Sequence, residues 1–169
     1  MNNKPRLSID AVNQMNKEEF VSGVGWVFEH SPWVARVAWE SLPCNSREEL
    51  LQRMVTVVKN AEEAVQLALL RAHPDLGTKL IISEVSQKEQ AGVRLDRLTK
   101  DEHREFMSLN QRYVEQFGFP FIMAVKGQNK DTILAAMKVR VANAYEQEFL
   151  TALNEVYKIV GFRLTDLIE

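Results

Sequence analysis

His73 stands where a helical pattern ends, directly before Pro74, in the stretch "LRAHPDLGTKL". Clash with the proline ring pushes the preceding residue out of the helical region. The imidazole therefore leaves its helix at a restricted backbone angle, and Gly77 permits a sharp turn soon after. An imidazole with pKa near ~6.5 is suited to passing protons at neutral pH. The plainer reading is a helix C-terminal histidine stabilised by the helix dipole. In "SQKEQAG", Ser86, Glu89 and Gln90 offer a hydroxyl, a carboxylate and an amide on one helical face. That mixture suits a polar heterocycle, which needs donors and acceptors; the alternative is Ser86 capping a helix with Glu89 as its partner. "FGFPF", from Phe117 to Phe121, could fill a core or wall a pocket with backbone amides toward a planar ligand. Arg163 in "GFRLTDL" lies between apolar neighbours and reads as half-buried, which requires a polar or anionic partner. Its alternative is a surface arginine with its stem laid over apolar groups.

Other chemistries lack their signatures. The 3 histidines, His30, His73 and His103, are not paired at metal-ligand spacing. Cys44 is the only cysteine, which excludes an internal disulfide and a thiolate zinc cluster. There is no nucleophile elbow, phosphate-binding loop or dinucleotide fingerprint. Gly23 and Gly25 in "SGVGW" read as a close approach of two helices. A cofactor-free enzyme or a binding module remains. A net charge of −2 gives no electrostatic reason to bind nucleic acid. No apolar run approaches the ~20 residues that span a bilayer, and the first 20 residues lack a signal-peptide core. The expectation is a cytoplasmic protein without membrane or nucleic-acid partners.

The elements that must position these residues are helices. Of 169 residues, 46% are hydrophobic and 26% charged, with only 5 Pro and 7 Gly, so one domain over residues 1–169 is expected. Ser8 precedes a short first helix, and capping-box spacing recurs at Asn16 with Glu19, Ser46 with Glu49, Asn60 with Glu63 and Thr99 with Glu102. Apolar residues return every three or four, as in Leu50, Leu51, Met54, Val55 and Val58, or Phe106, Leu109, Tyr113 and Phe117. Further stripes run from Ile133 through Tyr145 and from Phe149 to Val160. Phe119–Val125 is the one strand candidate, but Pro120 would interrupt a ladder, so it reads as an extended segment or the start of a buried helix. The pattern predicts an all-α fold, a single compact domain of roughly seven to nine helices.

"AHPDLG", "SQKEQAG", "FGFPF" and "RLTDL" occur here in the order found in the decarboxylases of 2-oxo-4-hydroxy-4-carboxy-5-ureidoimidazoline (OHCU). The chain resembles that family from about Met15 to Leu167, and "LDRLTKDEHREFMSLNQRYVEQFGFPF" extends the likeness through the middle. The resemblance implies an all-helical, cofactor-free lyase that converts OHCU, an intermediate of uric acid breakdown, to (S)-allantoin. It implies that His73 is catalytic. It also implies that Pro74, Ser86, Gln87, Glu89, Gln90, Phe119, Phe121, Ile122 and Arg163 belong to the site. On that footing Glu89 orients His73 or holds the substrate's hydroxyl and ring nitrogen. Gln90 and Arg163 hold the polar ring and ureido groups. No metal is implied, and a homodimer is.

Two competing readings stand beside it. One is a different small-molecule lyase or isomerase on the same scaffold. The other is a helical adaptor, which predicts an exposed apolar stripe in place of a pocket. Trp26, Trp33 and Trp39 fit either a core or a dimer interface.

Overall fold

The computed structural model describes residues 4–76 and 98–169. Their contacts divide into two compact units, Met1–Ala72 with Tyr157–Glu169, and His73–Val156. Eight α-helices are present among the described residues, and no strand beyond one isolated bridge. The fold is all-α, as the apolar periodicity predicts. No helix of the described residues is long and apolar enough to cross a membrane.

The first unit holds α1 (Ile9–Asn13), α2 (Lys17–Gly23), a 3-10 turn (Gly25–Val27), α3 (Trp33–Trp39), α4 (Arg47–Lys59) and α5 (Glu63–Ala72). Their starts follow the local capping chemistry. Ser8 accepts from the Ala11 amide, and Asn16 and Glu19 form a reciprocal box. Ser46 accepts from the Glu49 amide, but the Glu49 carboxylate turns to the Asn45 amide at 2.8 Å and to Arg53, so only half of that box forms. The box expected at Asn60 with Glu63 does not form. Asn60 has helical angles (φ −85, ψ −7) and closes α4 instead, whereas an N-cap needs extended backbone.

The buried stripe Leu50, Met54 and Val58 of α4 joins Phe20, Val34 and Ala38 in this unit's core. A Cβ on Gly25 would lie 3.2 Å from the Ala35 Cβ, so the close approach expected of the glycine pair is made by Gly25 on α3. The Asn13 side chain pairs with the Cys44 backbone, accepting at 3.0 Å and donating at 2.7 Å. The tryptophans are not core: Trp26 is exposed, while Trp33 and Trp39 are half-buried. A parallel bridge between Leu7 and Ile168 ties the two ends of this unit together.

The second unit holds α6 (Lys100–Phe117), α7 (Lys130–Arg140) and residues 145–156 of α8 (Tyr145–Leu167). Thr99 and Glu102 form the expected box. A further box, Asn129 with Thr132, opens α7 and was not anticipated, because a hydroxyl takes the place of the usual carboxylate. Gly118 ends α6 in the left-handed region (φ 75, ψ 13), with its amide donating to Val114 O at 2.8 Å. Residues 119–125 then run without helix or strand pairing, which settles the earlier choice in favour of an extended segment. Lys130 with Glu102 at 2.9 Å and Lys138 with Glu105 at 2.8 Å link α7 to α6. Both pairs are partly exposed, so each contributes little.

Gly118→Ala places a side chain at positive φ. It should cost about 1 kcal/mol, a fall of roughly 2–4 °C in Tm. An unchanged Tm in thermal unfolding would remove the left-handed cap from this account.

Candidate active site

His73 is the first residue beyond α5, and it, Pro74 and Asp75 are half-buried. The helix stops where the pre-proline restriction requires. Asp75 Oδ2 accepts from Asn110 Nδ2 at 3.4 Å, which ties the segment after His73 to α6. The oxygen of the same Asn110 amide, Oδ1, is buried without a hydrogen-bond partner. Asn110 is therefore a polar group next to the "HPD" segment that spacing did not single out. Gly77, Ser86, Gln87, Glu89 and Gln90 lie outside the described residues.

Phe119, Phe121 and Ile122 are 1%, 0% and 1% exposed, backbone included. They are core. Tyr113 meets Phe121 edge-on at 5.3 Å and Phe117 at 4.7 Å, and Phe119 meets Phe149 at 6.1 Å. Beyond Ile122, residues Met123, Ala124 and Val125 are half-buried. The peptide groups of this segment lack a strand partner among the described residues: side chains hold Ile122 O and the Ala124 amide, and Val125 O accepts from the Gln128 amide at 2.9 Å.

Arg140, paired with Glu148, holds the Ile122 carbonyl. Arg140 is 7% exposed and Glu148 0%. Arg140 Nη1 donates to Ile122 O at 2.6 Å, and its Nε donates to Glu148 Oε1 at 2.6 Å. The same carboxylate accepts from Tyr113 Oη at 2.5 Å and from Asn143 Nδ2 at 3.1 Å. The guanidinium also sits 4.4 Å from the centre of the Phe121 ring. Burial, and then the bond to Glu148, pushes the Tyr113 hydroxyl well above its usual range, so it stays a donor. Sequence reasoning missed this pair, yet a signal existed. Arg140 follows Met137 by three and Glu148 follows Tyr145 by three, which puts both charges on apolar stripes.

Arg163, in the first unit, is half-buried as expected. Its Nη1 donates to Val27 O at 3.0 Å and its Nη2 to Glu29 Oε2 at 2.8 Å. Glu29 is the anionic partner that spacing left unnamed. The next residue, His30, has φ 59, an uncommon conformation for a side chain other than glycine. A groove of about 550 Å³ in this unit runs between α4 and the last turns of α8, floored by Leu51, Val55 and Leu164. It contains none of the expected site residues. Burial raises the Cys44 thiol pKa, which argues against a thiolate nucleophile. No cluster of metal-ligating side chains occurs among the described residues.

The sequence profile of the OHCU decarboxylase family matches residues 13–165. The 2-oxo-4-hydroxy-4-carboxy-5-ureidoimidazoline decarboxylase of Halalkalicoccus jeotgali is 47% identical over 162 residues, covering 96% of this chain and 92% of that protein. A uric acid degradation bifunctional protein of a Bacillus species is 42% identical over 96% of this chain, which spans 32% of that protein. A crystal structure of (S)-allantoin synthase superposes with a TM-score of 0.82 at 33% identity. It covers 96% of this chain, which spans about half (54%) of that one. The chain belongs to the OHCU decarboxylase family.

Glu148→Ala strands the Arg140 charge inside the second unit. It should cost about 3–5 kcal/mol, measured by urea unfolding. A loss below about 1 kcal/mol would mean that water reaches the pair.

Proposed function

We infer that this protein is a carboxy-lyase that takes carbon dioxide from OHCU and leaves (S)-allantoin, a step of uric acid degradation, and we propose that His73 is its acid–base centre. The activity rests on the family profile over residues 13–165. The role of His73 rests on its place at the exit of α5, half-buried and followed by a segment tied down through Asp75.

The chemistry needs no external electron sink. The bond from the ring carbon to the carboxylate breaks, and its electron pair forms a double bond to the adjacent imine carbon while the imine nitrogen takes up a proton. This gives carbon dioxide and an enol. The enol hydroxyl then loses its proton while the neighbouring carbon gains one, which sets the stereocentre of allantoin. The protein must orient the carboxylate and pass these protons to one face, and a half-buried imidazole can do the second. A bias of ~1.4 kcal/mol between faces gives a tenfold ratio.

The remaining assignments follow the resemblance. Glu89 orients His73 or holds the substrate's hydroxyl, and Pro74, Ser86, Gln87 and Gln90 line the ligand. The segment with Phe119, Phe121 and Ile122 contributes through the peptide groups at its half-buried end, from Met123 on, since those three residues are themselves buried. Arg163 binds the polar substrate with the N–H groups left by Val27 and Glu29. The protein works as a cytoplasmic homodimer without a cofactor.

His73→Asn should keep the fold and lower the rate of (S)-allantoin formation by about a hundred- to ten-thousand-fold, followed by circular dichroism on fresh OHCU. Full retained activity would remove His73 from the reaction. Arg163→Lys should raise KM by about tenfold, because an ammonium lacks the planar fork. Unchanged KM and kcat would take Arg163 out of substrate binding.

A further inference from the structure

Arg140 and Glu148 are an expensive way to fill a core. A buried ion pair contributes little net stability, and apolar residues of similar volume often serve as well. What apolar groups cannot do is hold a backbone carbonyl in one direction. Arg140 does so, donating to Ile122 O at 2.6 Å, while Glu148 holds the other edge of the guanidinium. The peptide between Ile122 and Met123 is trans; among the described residues the one cis bond is at Leu42–Pro43. In a trans peptide the N–H points opposite to the C=O. Fixing Ile122 O therefore fixes the direction of the Met123 N–H, away from Arg140. One residue on, the Ala124 amide donates to Glu155 Oε2 at 3.4 Å, which restrains the next peptide plane. Among the described residues, the Ile122 and Met123 amides have no recorded acceptor. Met123 is half-buried, whereas Phe121 and Ile122 are sealed in the core.

We propose that Arg140, held by Glu148 and Tyr113, is a positioning residue for substrate binding: it pins the Ile122 carbonyl and so presets the Met123 amide as a donor to a planar ring bearing carbonyl acceptors. The inference rests on the reading that residues 119–125 line the OHCU site. Arg140 touches no substrate. It acts through the peptide it orients, and Tyr113 and Asn143 act through Glu148.

The test compares Arg140→Lys and Tyr113→Phe with the unmodified protein on fresh OHCU, with thermal unfolding of each. Lysine keeps a positive charge beside Glu148 but lacks the fork that serves two acceptors at once. Phenylalanine keeps the ring and both charges and removes one donor to Glu148. A preset donor that binds ground and transition states alike changes KM more than kcat. The expected result for folded Arg140→Lys is a KM raised about tenfold with kcat within about threefold, and for Tyr113→Phe a KM raised about two- to fivefold. Activity that falls only with the folded fraction, at unchanged KM in both variants, overturns the proposal. If Arg140→Lys does not fold, the KM of Tyr113→Phe decides. If the unmodified protein leaves OHCU untouched, the functional reading fails on its own. The clamp is then read from the 15N amide signal of Met123, which should shift in Tyr113→Phe and would overturn the proposal by staying in place.

Discussion

Neither Arg140 nor Glu148 could be buried alone. Each charge is held out of water only because the other faces it at 2.6 Å, with Tyr113 and Asn143 filling the remaining acceptor sites of the carboxylate. The constraint reaches across the second unit. It joins α6 through Tyr113, α7 through Arg140 and α8 through Glu148, and it fixes the extended segment through Ile122 O. The aromatic cluster packs around it, with Phe121 beneath the guanidinium. A segment lacking helical or ladder bonds is thereby given a fixed peptide direction at Ile122.

The first unit solves a similar problem at Arg163. There the guanidinium is shared between a backbone carbonyl, Val27 O, and a carboxylate, Glu29. In both places the fork of arginine is used for its geometry as much as its charge. Both arginines join a helix to an irregular stretch of chain. Such stretches carry sites more often than helices do, because their backbone groups are not already spent on one another.

Much of this was legible in the sequence where the physics is local. Thr99 with Glu102 and Asn16 with Glu19 are boxes because both partners lie within one turn. The same spacing misled at Asn60, which closes α4 in helical conformation. Spacing says nothing of which helix a residue serves. The exit of His73 from α5 follows from Pro74 alone. The need of Arg163 for a partner was legible, but the identity of Glu29 was not, since it lies 134 residues away. In the sequence the residues from Phe117 to Phe121 leave core filler and pocket wall both open, and Phe117, Phe119 and Phe121 are buried. Arg140 and Glu148 were passed over for the same reason as Glu29: pairing is a tertiary fact.

The central claim is that this chain decarboxylates OHCU with control of the new stereocentre. The most direct measurement adds the protein to freshly generated OHCU and follows circular dichroism at the allantoin band against a protein-free control. The account predicts faster decay and an excess of (S)-allantoin with protein, and a racemic product without it. Equal decay rates and a racemic product in both samples would contradict it.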